Sequence, residues 1–119
     1  MLFITNREPK GSIKATAKAK PFQFDLDKNA PANTVFYCER KGERKYSEIG
    51  SASFMKRLKD SPSKQILLYI HGFSNRPEDH IFPRVEALQS MFDAREENLV
   101  EVVPLIWPCD NDFGIIKDY

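Results

Sequence analysis

The sequence has 119 residues, of which 41% are hydrophobic and 12% aromatic, so it suits one small globular domain and excludes a wholly disordered chain. Its formal net charge of +1 predicts no strong attraction to nucleic acid or to anionic membranes. The N-terminus lacks the basic and apolar regions of a signal peptide, and no apolar run approaches the ~20 residues that span a bilayer. We therefore expect a soluble, cytoplasmic protein with no membrane partner.

The first half of the sequence predicts short strands joined by loops. Residues 2 to 5 form a strand candidate, and residues 8 to 33 are predicted mostly as loop because they are rich in proline and lack periodicity. Alternation within that loop permits a short edge strand over residues 22 to 26. Two further runs, residues 34 to 39 and 45 to 49, flank a charged turn and predict a β-hairpin.

A short helix and a buried strand are predicted next. The segment "SASFMKRLKDS" has a serine start, and its Phe54 and Leu58 lie one helical turn apart, so it predicts an amphipathic helix. Residues 66 to 70 are apolar on both faces, which predicts a strand covered on both sides, as in a parallel sheet.

A second helix and strand complete the pattern. Residues 77 to 94 are predicted mainly as helix, with residues 77 to 81 as a separate turn and Pro83 in the first turn of the regular part. Residues 100 to 107 predict another buried strand, with a local irregularity at Pro104, since proline cannot donate to a strand ladder.

These elements predict an α/β fold with a mixed sheet, in which antiparallel N-terminal strands adjoin a right-handed parallel βαβ unit. We expect one domain over residues 1–119. The N-terminal strands and hairpin would occupy residues 1–50, and the α/β portion residues 51–119.

A lysine-rich stretch raises the possibility of nucleic-acid binding. Four lysines lie in a stretch without acids: Lys10, Lys14, Lys18 and Lys20. They could contact phosphates, but no interleaved aromatic residues and no known reader fold accompany them. We expect a solvated loop and no nucleic-acid partner, and salt-sensitive binding to DNA would favour the alternative.

The sequence offers little for a metal. The two cysteines, Cys38 and Cys109, share no ligand pattern, and two free thiols are a better interpretation than a disulfide. His71 and His80 share no helical face, so we predict no metal site. Residues 110 to 112 resemble a fragment of a calcium loop, but the required glycine and glutamate are not in place, which favours a solvated turn.

The stretch "ILLYIHGFSN" runs an apolar strand directly into a polar loop. In open α/β sheets, ligands bind beyond the carboxyl ends of strands, where loops lead into helices. Gly72 can take a positive φ or let the backbone pass close to a neighbour. Backbone N–H groups near a helix N-terminus favour negative charge, so such a loop is suited to stabilising an oxyanion.

This strand and loop resemble those of the alpha/beta-hydrolase superfamily, whose strand-then-His-Gly loop supplies part of the oxyanion hole. More narrowly, "LLYIHGFSN", the helix after it and the "WP" that ends the next strand resemble the alpha/beta hydrolases of the domain-of-unknown-function 900 group. The resemblance covers residues 65 to 110 closely and the N-terminal strands only by architecture. It implies the first half of an alpha/beta-hydrolase fold.

The resemblance also implies roles for the loop. The backbone N–H of Phe73 would be the oxyanion donor, His71 and Gly72 would shape the loop, and Ser74 and Asn75 would brace it or cap the next helix. The alternative reading is that His71 only hydrogen-bonds the backbone and Gly72 only makes a turn.

The implied parent activity is hydrolysis of a carboxylic ester or related acyl bond of a small molecule through a serine nucleophile, with no cofactor. Trp107 is more often a core residue than a ligand contact, but in the full hydrolase it is a possible pocket wall.

The triad of such an enzyme is not recognisable in the sequence. No G-x-S-x-G occurs, and "GSASF" precedes the oxyanion strand and opens a helix. The serines considered as nucleophiles have no histidine and acid at informative spacing: Ser47, Ser51, Ser53 and Ser90. We expect the nucleophile, acid and base to lie beyond Tyr119, so that these residues alone hydrolyse no ester above background.

A truncated sheet would leave an unpaired edge and an exposed apolar face. The alternative function is therefore a non-catalytic interaction module or remnant that self-associates through its open sheet.

Overall fold

A computed structural model describes residues 1–11, 19–73 and 75–109, and these form one six-stranded mixed sheet with helices on both faces. The strands are β1 (Leu2–Arg7), β2 (Lys20–Phe22), β3 (Pro31–Gly42), β4 (Lys45–Glu48), β5 (Gln65–Ile70) and β6 (Val100–Ile106). The helical elements are α1 (Gly50–Lys59), a single π-helical turn (Pro77–Ile81, the π-turn) and α2 (Phe82–Arg95).

The strand order is β2-β4-β3-β1-β6-β5. β2, β4, β3 and β1 pair antiparallel, whereas β6 pairs parallel with both β1 and β5. The predicted α/β fold, with antiparallel N-terminal strands and a parallel unit of strand, helix and strand, is confirmed.

The N-terminal strands are longer than the sequence predicts. β1 continues past Asn6 to Arg7, through a register shift at which the Arg7 N–H donates to Thr5 Oγ1 at 3.1 Å. β3 begins already at Pro31, and the hairpin with β4 is confirmed. Its turn contains Arg44 at a φ of 57°, a left-handed conformation that is uncommon for a residue with a side chain.

Alternating residues of the strands fill a core on each face of the sheet. On one face, Phe3 packs with Phe36, and with Phe82 and Val85 at the start of α2. The other face has a smaller cluster of buried side chains under α1: Leu2, Ile49, Phe54 and Val103. Neighbours such as Leu2 and Phe3 serve opposite layers because strand side chains alternate in direction.

Helix α1 is confirmed, but its serine start is not a cap. The helix begins at Gly50 after Ile49, and no side chain caps that end. Its stability comes instead from the fully buried Phe54 and from three basic residues in its last turn, where positive charge is favoured.

The predicted separate turn before the second helix is confirmed as the π-turn. His80 accepts a hydrogen bond from the backbone N–H of Arg76 through Nδ1 at 2.9 Å, which closes the start of this turn. Pro83 lies in the first turn of α2, where a missing N–H breaks no helical hydrogen bond.

Strand β5 lies at the end of the strand order, and the prediction that both its faces are covered is wrong for the described residues. Ile66, Leu68 and Ile70 are 43%, 49% and 61% exposed. The physical reason is that β5 lies at the edge of the sheet, whereas the two helices pack on other strands, α2 on β6 and α1 on β3. Both cysteines are free thiols, as predicted, and both are buried.

The irregularity predicted at Pro104 is also wrong for the ladder with β5. The register runs without a shift from Gln65 opposite Val100 to Ile70 opposite Leu105. Pairing of β6 with β1 begins only at Leu105, after the proline, so the missing N–H interrupts neither ladder.

Among the helices in the described ranges, none is long and apolar enough to cross a bilayer.

Candidate functional site

The loop over residues 71 to 75 lies where two parallel strands end side by side. Ile70, the last residue of β5, is opposite Leu105 near the end of β6. The chain leaves β5 through His71 and leaves β6 through Trp107. This shared edge therefore brings together two segments that are far apart in sequence.

His71 is buried, and both of its ring nitrogens are engaged. The backbone N–H of Trp107 donates to Nε2 at 3.0 Å, so Nε2 carries no proton in this arrangement. The proton of the neutral ring is then on Nδ1, which lies 2.9 Å from the carbonyl oxygen of Gly72 and donates to it. His71 thus fixes the loop to the end of β6.

Trp107 holds the same histidine from a second direction. Its indole N–H donates to the His71 carbonyl oxygen at 2.9 Å, and the two rings stack with centroids 5.2 Å apart. The Phe73 ring meets the indole edge to face at 5.6 Å. Trp107 therefore contacts both His71 and Phe73, the first and third residues of the loop.

Gly72 does not have the backbone geometry that the sequence suggests. Its φ is not positive, and an added Cβ would lie 3.8 Å from Asn75 Nδ2, an ordinary van der Waals contact. Neither reason for a glycine, left-handed backbone or close approach, holds within the described residues. The loop is shaped by hydrogen bonds to the Gly72 carbonyl oxygen instead.

Three groups converge on that carbonyl oxygen. Besides His71 Nδ1, the side-chain amide of Asn75 donates to it at 3.0 Å and the thiol of Cys109 at 3.2 Å. The chain has no cis peptide bond among its described residues, so the N–H of Phe73 points opposite to the Gly72 carbonyl in the same peptide plane. The Phe73 N–H is thus directed away from the three groups that hold the carbonyl.

Asn75 connects the loop to helix α2. Its side chain is buried, and its Oδ1 accepts a hydrogen bond from Arg84 Nη1 at 3.2 Å. Ser74, which the sequence places with it as a brace, lies outside the described residues, and so do residues 110 to 112.

Cys109 is a contact that sequence reasoning missed. Its buried sulfur lies 3.2 Å from His71 Nδ1 and 3.5 Å from the Asn75 carbonyl oxygen. No motif marks this residue. Its only signal is its position two residues after Trp107, at the end of the neighbouring strand.

A charged cluster anchors the π-turn that follows the loop. The carboxylate of Glu78 accepts hydrogen bonds from Arg40 Nε at 3.0 Å and Nη2 at 2.8 Å, and from the Arg44 backbone N–H at 3.0 Å. The Tyr46 hydroxyl also donates to it. The β3–β4 hairpin therefore clamps the segment immediately after the loop.

The hydrogen bonds and charges in this cluster shift the pKa values of its members. Burial disfavours the Glu78 carboxylate, but the hydrogen bonds from Arg40, Tyr46 and the Arg44 backbone outweigh it and lower the pKa of Glu78. Burial is the first cause that raises the pKa of Tyr46, and its hydrogen bond to Glu78 adds to the effect.

No group of three metal-ligating side chains is found among the described residues.

The mixed sheet, with helices on both faces and a loop at the carboxyl ends of its parallel strands, defines the chain as an α/β protein. The family model described as alpha/beta hydrolase of unknown function (DUF900) matches residues 47–119, and the chain belongs to this family. Comparisons with curated proteins and with solved structures return no match.

Proposed function

We propose that these residues supply the oxyanion-hole loop of a serine-type hydrolase that acts on carboxylic esters or related acyl bonds of a small molecule. The observation that carries the proposal is the peptide plane between Gly72 and Phe73. Its carbonyl oxygen is held by three groups, and its N–H points the other way, in a loop whose Phe73 side chain is 51% exposed.

Such a plane has the properties that an oxyanion donor needs. Stabilising a developing negative charge requires a donor whose direction is fixed before the reaction, so that no reorganisation occurs in the transition state. The hydrogen bonds from His71, Asn75 and Cys109 supply that rigidity. We assign the backbone N–H of Phe73 as the donor and Trp107 as a wall of the acyl pocket.

His71 acts in this proposal as a brace and not as a general base. A base needs a ring nitrogen that can accept a proton from the nucleophile, and Nε2 of His71 already accepts the Trp107 N–H. With no G-x-S-x-G in the 119 residues, we assign the nucleophile, acid and base to residues outside this sequence.

The test uses a longer protein of this family that contains these residues together with the nucleophile, acid and base that the proposal assigns outside them. Replacing Phe73 with proline removes the backbone N–H, and we expect kcat for a nitrophenyl ester to fall about 100-fold with KM little changed. Phe73→Leu, which keeps the N–H, is the matched control. Equal kcat for both variants would overturn the assignment of the donor.

A second candidate function is self-association through β5. The strand is the last in the sheet order, carries no charged residue and exposes Leu68 and Ile70. Edge strands without charges pair readily with other chains. Sedimentation showing a defined dimer that Leu68→Lys disrupts would favour this function, whereas heterogeneous aggregates or a monomer would count against it.

A further inference from the structure

A cleft of about 250 Å³ lies on the side of the π-turn that faces the β3–β4 hairpin. Its walls come from the hairpin turn, the π-turn and the segments on either side of β2. We propose that this cleft binds a small aromatic anion, a flat ring that carries a phosphate or carboxylate group. The proposal is independent of the hydrolase activity proposed for the loop.

The charge of the cleft favours an anion. Lys10, Arg44 and Arg76 line it, and no ion pair of Lys10 or of the Arg44 side chain is found within the described part of the chain. Guanidinium groups match phosphate and carboxylate oxygens with paired hydrogen bonds. Three cationic side chains thus border one small space.

The acidic residues of the cleft do not cancel this charge. Both oxygens of Glu78 are occupied by the hydrogen bonds from Arg40, the Arg44 backbone and Tyr46, so that carboxylate is already engaged within the wall. Asp79 is exposed at the rim and remains as one opposing charge. Lys10 and Arg44 together outnumber it.

The apolar part of the cleft favours a ring. Phe24 and Tyr46 lie beside each other in its wall with ring centroids 5.1 Å apart, and Leu26 is 40% exposed there. Apolar and aromatic walls with a few placed polar or charged groups are the usual composition of small-molecule sites. At about 250 Å³ the cleft is slightly smaller than the ~300–1,000 Å³ of most such sites, which favours a small ligand of one ring and one acidic group.

The test titrates the whole chain with phenyl phosphate and follows binding by isothermal titration calorimetry and by NMR. Inorganic phosphate and phenol are titrated as separate probes. We expect phenyl phosphate to bind tighter than either fragment. Arg44→Gln and Lys10→Gln should each weaken it about fivefold to tenfold, because each removes a charged hydrogen-bond donor. Lys45→Gln, on the same hairpin but outside the cleft, should leave binding unchanged.

Each other outcome overturns part of the proposal. Equal binding of inorganic phosphate would remove the role of the ring, and equal binding of phenol would remove the role of the anion. The absence of binding, or equal weakening by Lys45→Gln, would overturn the site itself. Because no hydrolysis is measured, none of these results bears on the function proposed for the 71–75 loop.

Discussion

The Nε2 atom of His71 accepts a hydrogen bond from the backbone N–H of Trp107 at 3.0 Å, and the two side chains stack. This pair joins the carboxyl ends of β5 and β6. Because a neutral imidazole has one acceptor nitrogen, the bond also fixes which nitrogen holds the proton and directs that proton at the loop.

Replacing the histidine therefore has a structural cost. His71→Phe keeps a ring of similar shape but leaves the Trp107 N–H without its acceptor, and we expect it to lower the free energy of unfolding by about 2 kcal/mol. His80→Phe is the matched control, since the His80 ring is only half-buried whereas His71 is buried, so water can more readily take the place of the His80 ring. We expect a loss below ~1 kcal/mol there. Urea unfolding of both variants measures the difference, and equal losses would contradict the bracing role of His71.

Gly72 should tolerate a side chain better than its place in the motif suggests. Its φ is not positive and its added Cβ meets only an ordinary contact, so Gly72→Ala should change the free energy of unfolding by less than ~0.5 kcal/mol. Gly11, with a φ of 80°, is the comparison, and Gly11→Ala should cost about 1 kcal/mol. Thermal unfolding followed by circular dichroism distinguishes them. A larger loss of unfolding free energy for Gly72→Ala than for Gly11→Ala would contradict the prediction that position 72 tolerates a side chain.

The ion pair of Arg40 and Glu78 should matter more than that of Arg40 and Glu86. Both Arg40 and Glu78 are mostly buried, so Glu78→Gln should destabilise the protein by about 1–3 kcal/mol. The Glu86 side chain is 55% exposed, and Glu86→Gln should cost less than ~0.5 kcal/mol. Denaturant unfolding at pH 7 compares the two. Equal effects would mean that burial does not strengthen the Glu78 pair.

The same carboxylate predicts a pH dependence on the acid side. Its pKa in the folded protein lies below the ordinary value of 4.5 because its hydrogen bonds outweigh burial. Ionised Glu78 therefore contributes stability that is present above that value and is lost as pH falls through the lower, folded pKa. The unfolding free energy of the unmodified protein should drop more steeply below pH ~4.5 than that of Glu78→Gln. Parallel curves would show that Glu78 does not carry this linkage.

Phe54 should be the main support of the α1 face. It is fully buried in the smaller core cluster, and Phe54→Ala should cost about 3–5 kcal/mol through lost burial and the cavity left behind. The adjacent Met55 is 59% exposed, so Met55→Ala should cost less than ~0.5 kcal/mol. Guanidinium unfolding measures both, and a small loss at Phe54 would mean that α1 is not held by this contact.

Local patterns in the sequence predict the elements but not their lateral placement. The apolar run of β5 predicts a strand correctly, yet periodicity carries no information on which strand lies at an edge. The cover of a strand depends on where helices from other parts of the chain pack. For that reason the exposure of Leu68 and Ile70 could not be predicted from their own segment.

For the candidate loop, too, the sequence predicts the position but not the contacts that hold it. Its position after β5 follows from the sequence, because the apolar run ends at Ile70 and polar residues typical of loops follow it. The contacts that hold it, from Trp107 and Cys109, join residues more than thirty positions apart and have no local signal. The clamp of Arg40 on Glu78 is equally distant in sequence. Such pairings depend on strand order, which one sequence does not fix.

The central claim is that these residues hold an oxyanion loop but not the group that attacks the ester. The most direct measurement is the hydrolysis of a nitrophenyl ester by the purified 119-residue chain, compared with buffer alone. We predict no turnover above background, because the proposal assigns the covalent step and the general-base step to residues outside these 119. Clear turnover that a single substitution in this chain abolishes would contradict the claim.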